Sequence, residues 1–85
     1  MKIVFHKKFI KQYNKNPKKI RKQFDSRLEI FELNQFDSVL NNHFVHHPYE
    51  GCRSINVSGD IRALYETVGD TVIFVRIGTH SELYN

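Results

Sequence analysis

The sequence predicts a small α+β domain in which two amphipathic N-terminal helices pack on a β-sheet. The length of 85 residues suits one domain, spanning residues 1–85, with a single small core. Apolar residues recur at helical spacing in the N-terminal third, and they form short runs separated by turn residues in the C-terminal third. With 40% hydrophobic and 26% charged residues, the composition is typical of a globular protein.

The N-terminal third predicts a short strand followed by a helical hairpin. Lys2-Ile3-Val4-Phe5 has the character of a strand, and a first helix then ends at Asn14 to Asn16. Asn16-Pro17 predicts a new helix start, because Asn can cap free backbone amides and Pro suits the first helical position. This second helix should extend to about Leu33. The apolar faces of the two helices consist of Phe9, Ile10, Tyr13, Ile20, Phe24, Leu28 and Phe31.

The C-terminal half predicts an irregular segment and then three strands. Residues 34–50 lack a regular pattern, and so long a loop in a small domain is usually functional or mobile. Strands are predicted at 53–57, 60–66 and 71–77, separated by turns at Ser58-Gly59 and Gly69-Asp70. The last strand is almost continuously apolar, which predicts a central position in the sheet. We expect it to break at Gly78 and to present His80 and Tyr84 just beyond its end.

Charge is distributed unevenly along the chain. Residues 1–22 contain nine Lys/Arg and no acid, whereas residues 23–85 contain four Arg and nine Asp/Glu, so charges of +9 and −5 give the net +4. This pattern predicts a polyanionic partner, namely RNA, DNA or an acidic protein, although a solvated helix face is the simpler alternative. There is no apolar run of about 18 residues and no signal-peptide core, and the single Cys52 cannot form an internal disulfide. We therefore expect a cytoplasmic protein.

The five histidines offer two kinds of chemistry. His43, His46, His47 and His80 could ligate zinc, but no familiar zinc-ligand motif accompanies them. Alternatively, cleavage of RNA through its 2′-hydroxyl needs a base, an acid and cations for the phosphate charge. Histidine suits either proton transfer, arginine binds phosphate through a fork of donors, and tyrosine can stack a splayed base. The residues that could meet for this purpose are His43, His80, Arg53, Arg62, Arg76, Tyr49 and Tyr84.

Two sequence blocks resemble a known family. They are His43…Gly51-x-Arg53-Ser54-Ile55-Asn56-Val57-x-Gly59-Asp60-x-Arg62-Ala63-Leu64-Tyr65 and Gly78-Thr79-His80-Ser81-x-Leu83-Tyr84. With the basic helical hairpin before them, they are similar to the RelE/ParE superfamily of toxin–antitoxin toxins, and in particular to its YafQ-like mRNA interferases. The resemblance implies two helices on a twisted, mainly antiparallel sheet. It also implies an endoribonuclease that cuts mRNA in the ribosomal A site without a metal or other cofactor. A cognate antitoxin is expected to silence this enzyme by binding it in a hetero-oligomer.

The resemblance also implies roles for individual residues. His80, in Gly78-Thr79-His80, corresponds to a catalytic general acid or base, and Tyr84 to an aromatic near the site. Asp60 corresponds to a site aspartate, His43 to a loop histidine, and Arg62 to a phosphate-binding arginine. Contacts to RNA are expected from Arg53, Arg76, Lys7, Lys8 and Lys11.

The chain departs from the YafQ-like pattern at two positions. Asn56 stands where these toxins carry a histidine, and Phe44-Val45 follows His43 in place of Pro-Leu. Either His46 or His47 could substitute for the missing proton carrier, or cleavage could be slower, or this chain could bind its antitoxin but cut poorly. A ParE-like, non-catalytic toxin that binds DNA gyrase is a further alternative, although a proton-transfer group at His80 argues against it.

Overall fold

A computed structural model of the protein describes residues 1–84. Two N-terminal helices are followed by a β-rich C-terminal part, as the sequence predicts. In chain order the elements are β1 (Lys2–Phe5), α1 (Lys7–Lys15), α2 (Lys18–Leu33), a 3-10 turn (Ser38–Leu40), β2 (His43–Phe44), β3 (Arg53–Ser58), β4 (Ile61–Val68), β5 (Thr71–Thr79) and α3 (His80–Tyr84). None of the helices in this part of the chain is both long and apolar enough to cross a membrane.

The strands form one five-stranded sheet in the order β1-β5-β4-β3-β2. Within residues 1–84, β1 and β5 pair in parallel and the other three strand pairs are antiparallel. The observed sheet is therefore mainly antiparallel, which agrees with the predicted α+β fold. The apolar strand β5 lies between β1 and β4, so its expected interior position is also confirmed.

Helices α1 and α2 cover one face of the sheet and bury an aromatic core. Phe24 lies 5.1 Å from Phe9 and 5.4 Å from Phe74 between ring centroids, and Phe31 lies 5.0 Å from Tyr65. All five rings are at most 2% exposed. Their edge and tilted contacts suit the electrostatics of aromatic pairs, and their burial is the main stabilising contribution that this side of the sheet receives.

The junction between α1 and α2 differs from the expectation that Asn16 caps the second helix. Asn16 instead ends α1: its backbone N–H donates to the carbonyl of Tyr13, and its side-chain amide donates to the carbonyl of Gln12 at 2.9 Å. Pro17 occupies the N-cap position of α2, and its side chain makes no capping hydrogen bond. The Asn side chain thus satisfies the carbonyl end of one helix rather than the amide end of the next.

Residues 34–50 are more ordered than the sequence pattern predicts. The Asp37 carboxylate accepts a hydrogen bond from the Val39 amide at 3.0 Å and so begins the 3-10 turn, and Asn41 ends that turn in the left-handed conformation, with φ of 46°. Leu40 within the turn is fully buried in the main core. This anchoring carries the chain to the edge of the sheet, where His43 and Phe44 pair with β3.

The C-terminal segment also differs from expectation, because β5 does not break at Gly78. The strand continues to Thr79, and α3 begins immediately. The Glu82 carboxylate accepts from the Thr79 amide at 2.8 Å, and the Thr79 hydroxyl accepts from the Glu82 amide at 3.1 Å. This is a capping box, in which the two side chains satisfy free amides of the first helical turn. A Cβ on Gly78 would lie 3.1 Å from the Glu82 carboxylate, so glycine leaves room for the cap.

Candidate active-site groove

An open groove of about 320 Å3 lies on the face of the sheet away from α1 and α2. Its floor includes Ser54, Arg62 and Leu64, whose strand neighbours Ile55, Ala63 and Tyr65 belong to the core on the opposite face. One wall is formed by residues 43–46, and the other by α3. The full lining consists of His43, Phe44, Val45, His46, Ser54, Arg62, Leu64, His80, Leu83 and Tyr84. The groove therefore brings together His43, Arg62, His80 and Tyr84, which are far apart in sequence.

His43 is held at the groove by strand pairing and by a hydrogen bond. It lies opposite Ser54 in the β2–β3 ladder, so the two side chains share a face. Its Nδ1 lies 2.7 Å from the carbonyl oxygen of Asn41. Because a carbonyl can only accept, this hydrogen bond requires the proton on Nδ1, which leaves the Nε2 of a neutral ring as an acceptor. In this tautomer His43 can accept a proton.

Arg62 supplies the positive charge on the groove floor. Its Nη1 donates to the carbonyls of Gly59 at 2.6 Å and Ile61 at 3.1 Å, which fixes the guanidinium beside the β3–β4 turn. Across the ladders it lies opposite Asn56 on β3 and Gly78 on β5. Gly78 has no side chain to cover the guanidinium, and the remaining donors of Arg62 can bind an anionic oxygen.

His80 and Tyr84 lie on one side of α3, at positions i and i+4. Their ring centroids are 4.7 Å apart. The helix is anchored by buried Leu83, which is 4% exposed, and by the Tyr49 hydroxyl, which donates to the Leu83 carbonyl at 2.6 Å. Burial raises the pKa of the Tyr84 phenol, and the neighbouring Tyr49 adds to this effect. Tyr84 therefore stays a neutral hydroxyl to higher pH than an exposed tyrosine.

The other residues with predicted site roles lie outside the groove. Asp60 is exposed in the β3–β4 turn, and Arg76 lies opposite Leu64 on the groove face without lining the groove. Arg53 stacks on Phe44, which projects from the β2 edge. The predicted RNA contacts Lys7, Lys8 and Lys11 are exposed on α1, which packs on the other face of the sheet.

Five lining residues were not predicted as site residues from the sequence, namely Phe44, Val45, Ser54, Leu64 and Leu83. Ser54 is 3% exposed, and Leu64 and Leu83 are buried although they lie outside the main core. A detectable signal was available for Leu83, because Thr79-x-x-Glu82 is a capping-box pattern that predicts a helix at this point. No local pattern marks Ser54 and Leu64 as floor residues, since their face depends on strand register.

The Lys and Arg side chains of residues 1–84 form no ion pairs within that part of the chain. In residues 1–84 the ion pairs join the N-terminal amine to Asp70 and His47 to Glu50, so no Lys or Arg side chain there lies within salt-bridge distance of a carboxylate. A backbone hydrogen bond and the His47 ring lower the pKa of Glu50. The positive charge of residues 1–22 and of Arg62 is therefore not neutralised internally and can attract polyanions.

The zinc alternative requires at least three ligands close together. No group of three His, Cys, Asp or Glu side chains in residues 1–84 is arranged to hold a metal ion.

Comparison with known proteins identifies the family. The model of the family described as "Bacterial toxin of type II toxin-antitoxin system, YafQ" matches residues 1–85. No curated protein matches the sequence. Among solved structures, YafQ from Escherichia coli BL21(DE3) has a TM-score of 0.83 at 20% identity, with 98% of this chain and 97% of that chain covered.

Two solved complexes are also similar. The E. coli DinJ–YafQ toxin–antitoxin complex contains a chain with a TM-score of 0.77 at 20% identity, covering 98% of this chain and 96% of that one. The RelB–RelE antitoxin–toxin complex from Methanococcus jannaschii contains one with a TM-score of 0.69 at 27% identity, covering 95% and 94%. These similarities confirm the RelE-like fold. Because the family model matches the chain from residue 1 to residue 85, the chain belongs to the YafQ family of type II toxin–antitoxin toxins.

Proposed function

We propose that this protein is a ribosome-dependent endoribonuclease toxin that cuts mRNA in the A site by metal-independent acid–base catalysis. The observation that carries the proposal is the convergence of two histidines, an arginine and a tyrosine, His43, His80, Arg62 and Tyr84, on one open groove. A binding protein has no need for two proton carriers beside an unpaired cation, whereas phosphodiester cleavage needs all three groups.

The reaction proceeds by attack of the 2′-hydroxyl oxygen on the adjacent phosphorus. A base removes the hydroxyl proton, the new P–O2′ bond forms, the P–O5′ bond breaks, and an acid donates a proton to the departing O5′. The products are a 2′,3′-cyclic phosphate and a 5′-hydroxyl, so no water or metal enters this step. His80 on one wall of the groove, and His43 together with His46 on the other, carry these protons as acid and base, because histidine exchanges protons near neutral pH.

Arg62 stabilises the charge that builds up on the phosphate oxygens. Its position on the groove floor and its fixed orientation support this role, since a preorganised donor costs little reorganisation in the transition state. Tyr84 stacks a base or donates its neutral hydroxyl, which its raised pKa supports. Asp60 is exposed beyond the groove, so it acts on Arg62 or on the RNA rather than at the reacting atoms.

His46 takes over the proton-carrying role that Asn56 cannot perform. His46 lines the groove, whereas the adjacent His47 does not, and the His47 side chain is 88% exposed. Asn56 lies opposite Arg62, and its Oδ1 is buried without a hydrogen-bond partner among residues 1–84. Its amide therefore lies beside Arg62 without lining the groove, and it offers no titratable group.

The partners follow from the charge distribution and the family. The unpaired lysines of α1 and α2 bind ribosomal RNA through salt-sensitive contacts. A cognate antitoxin silences the toxin in a hetero-oligomer, as the DinJ–YafQ and RelB–RelE complexes suggest by analogy. The protein acts in the cytoplasm, where the translating ribosomes are.

Induced expression followed by primer extension on cellular mRNA tests the proposal. The wild type should stop growth and produce discrete, codon-linked cuts. His80→Ala should abolish both effects while leaving the circular dichroism spectrum unchanged, because His80 is exposed and is not part of the main core. His46→Ala should reduce cutting by about 100-fold or more, as expected for loss of an acid–base group.

His47→Ala is the matched control, since it removes an imidazole next to His46 but outside the groove. It should cut like the wild type. Cuts that persist in His80→Ala would remove His80 from the mechanism. Intact transcripts accompanied by DNA damage would favour the gyrase-binding alternative, and antitoxin binding without cuts or growth inhibition would identify a degenerate copy.

A further inference from the structure

An arginine lies between two exposed phenylalanines at the edge of the sheet beside the groove. The Arg53 guanidinium carbon is 4.1 Å from the ring centroid of Phe44 and 5.2 Å from that of Phe36. Phe44 is 64% exposed and Phe36 is 56% exposed. We refer to Phe36, Arg53 and Phe44 as the platform. Its planar cation and two rings offer solvent-facing surfaces of a kind that aromatic ligands stack on.

The platform is tied to the core and is therefore preorganised. Arg53 Nε donates to the Asn42 side-chain carbonyl at 2.7 Å. The Asn42 amide in turn donates to the Gln35 carbonyl at 2.8 Å and to the hydroxyl of buried Tyr65 at 2.7 Å. Since the guanidinium is already oriented, a ligand that stacks there loses little of its binding energy to ordering side chains.

A purely structural role does not explain why the phenylalanine rings of the platform are exposed or why the terminal nitrogens of Arg53 lack an acceptor among residues 1–84. Phe44 and Arg53 are cross-strand partners, so their contact does help to hold β2. A ring that served only this purpose would be covered, yet both Phe rings keep more than half of their surface exposed. The terminal nitrogens of Arg53 also have no acceptor among residues 1–84, and no carboxylate there lies within ion-pair distance. The site therefore combines unsatisfied positive charge with exposed aromatic faces.

We propose that the platform is a stacking site for a nucleobase of the single-stranded RNA where that strand passes around the β2 edge of the sheet, outside the groove. A nucleotide matches both halves of the site, because its base has a π face for the rings and its phosphate accepts from the guanidinium. The platform adjoins the groove across the edge strand β2. Phe44 directly follows His43 and is among the groove-lining residues, whereas its cross-strand partner Arg53 lies on the opposite face from His43 and Ser54. An RNA strand that leaves the groove around this edge therefore reaches the platform. This inference rests on the proposed function, because it specifies how the same site holds its RNA.

Binding of the full chain to two oligonucleotides tests the inference. One is a single-stranded RNA with 2′-O-methyl groups throughout, which cannot be cut, and the other is its abasic counterpart of equal length and charge. In fluorescence anisotropy titrations, Phe44→Ala should weaken binding of the base-containing strand by about 5- to 100-fold. It should leave binding of the abasic strand unchanged. Phe44→Tyr, which retains an aromatic face, should restore the preference for bases.

Val68→Ala is the matched control, because Val68 is 61% exposed and ends β4, which β3 separates from the platform strand β2. It should bind both strands like the wild type. The inference is overturned if the wild type shows no preference for bases, or if Phe44→Ala behaves like Val68→Ala. It is equally overturned if Phe44→Ala weakens both strands alike, since that pattern would mean phosphate contact or a protein-binding surface.

Failure of the platform and failure of the nuclease proposal give different results. The oligonucleotides cannot be cleaved, so base-dependent binding that is lost in Phe44→Ala supports the platform even if no mRNA is cut in cells. Conversely, normal mRNA cleavage by Phe44→Ala together with base-independent binding would leave the nuclease intact and overturn the platform.

Discussion

Removal of the capping box should detach α3 without unfolding the protein. Thr79→Ala deletes the acceptor of the Glu82 amide, and Glu82→Ala deletes the acceptor of the Thr79 amide. A helix of only five residues cannot persist on its own propensity, so it depends on its cap and on its packing. The core under α1 and α2 does not include α3 residues. The perturbation is therefore expected to remain local, while His80 and Tyr84 lose their positions in the groove.

The size of the effect follows from the two hydrogen bonds. Loss of an N-cap side chain costs about 1 kcal/mol, which lowers the ratio of docked to undocked α3 by about 5-fold. The double variant should lose about 2 kcal/mol, or about 30-fold. Glu82→Gln is the control, because its amide oxygen can still accept from the Thr79 amide and complete a capping box.

Amide hydrogen exchange measured by NMR provides the assay. Exchange at residues 79 and 82–84 should accelerate by these factors in the Ala variants and not in Glu82→Gln, whereas amides of β3 and β4 should keep their rates. Cleavage of mRNA should decline in the same order. Unchanged exchange at Thr79 and Glu82, or equal acceleration throughout the sheet, would refute the idea that the cap is a local clamp.

Three further predictions concern the core, the surface and pH. Phe31→Ala should lower the free energy of unfolding, measured with urea, by about 3–5 kcal/mol, because Phe31 is fully buried; a loss below 1 kcal/mol would contradict this packing. Lys11→Gln should reduce the salt dependence of ribosome binding. In sedimentation assays, the slope of the logarithm of the binding constant against the logarithm of the salt concentration should change by about 1. An unchanged slope would place Lys11 away from phosphate. Burial and the Asp25 carboxylate, which accepts from the Tyr13 hydroxyl at 2.8 Å, raise the pKa of Tyr13 above its ordinary value of 10.0. A neutral Tyr13 therefore stabilises the fold below pH 10.0, and this contribution is lost as pH rises through the higher folded-state pKa. In urea unfolding, Tyr13→Phe should be less stable than the wild type by about 0.5–1 kcal/mol near neutral pH, and it should not lose this stability as the pH rises. The same loss of stability at high pH in both proteins would contradict the role of Tyr13.

Strand register shows where sequence reasoning reached its limit. Val72 and Phe74 lie in the core, and simple alternation would place Arg76 there as well. The β4–β5 ladder shifts between Leu64 and Tyr65, so that Tyr65 pairs with Phe74 and Leu64 with Arg76. Val75 is therefore an extra residue of β5 without a partner on β4, and Arg76 lies on the face of the sheet opposite to Phe74. A bulge of this kind depends on the partner strand and leaves no clear local signal.

The amino-acid sequence by itself determined the helical hairpin, the three C-terminal strands, the basic N-terminal end and the motifs that resemble the YafQ family. These features are local, since helical spacing, turn residues and short motifs act over a few neighbours along the chain. The tertiary structure alone decided that His43, Arg62 and His80 share a groove while Arg53 and Asp60 lie outside it. The face on which a strand residue lies is set by non-local pairing, and a change of one residue in register reverses it.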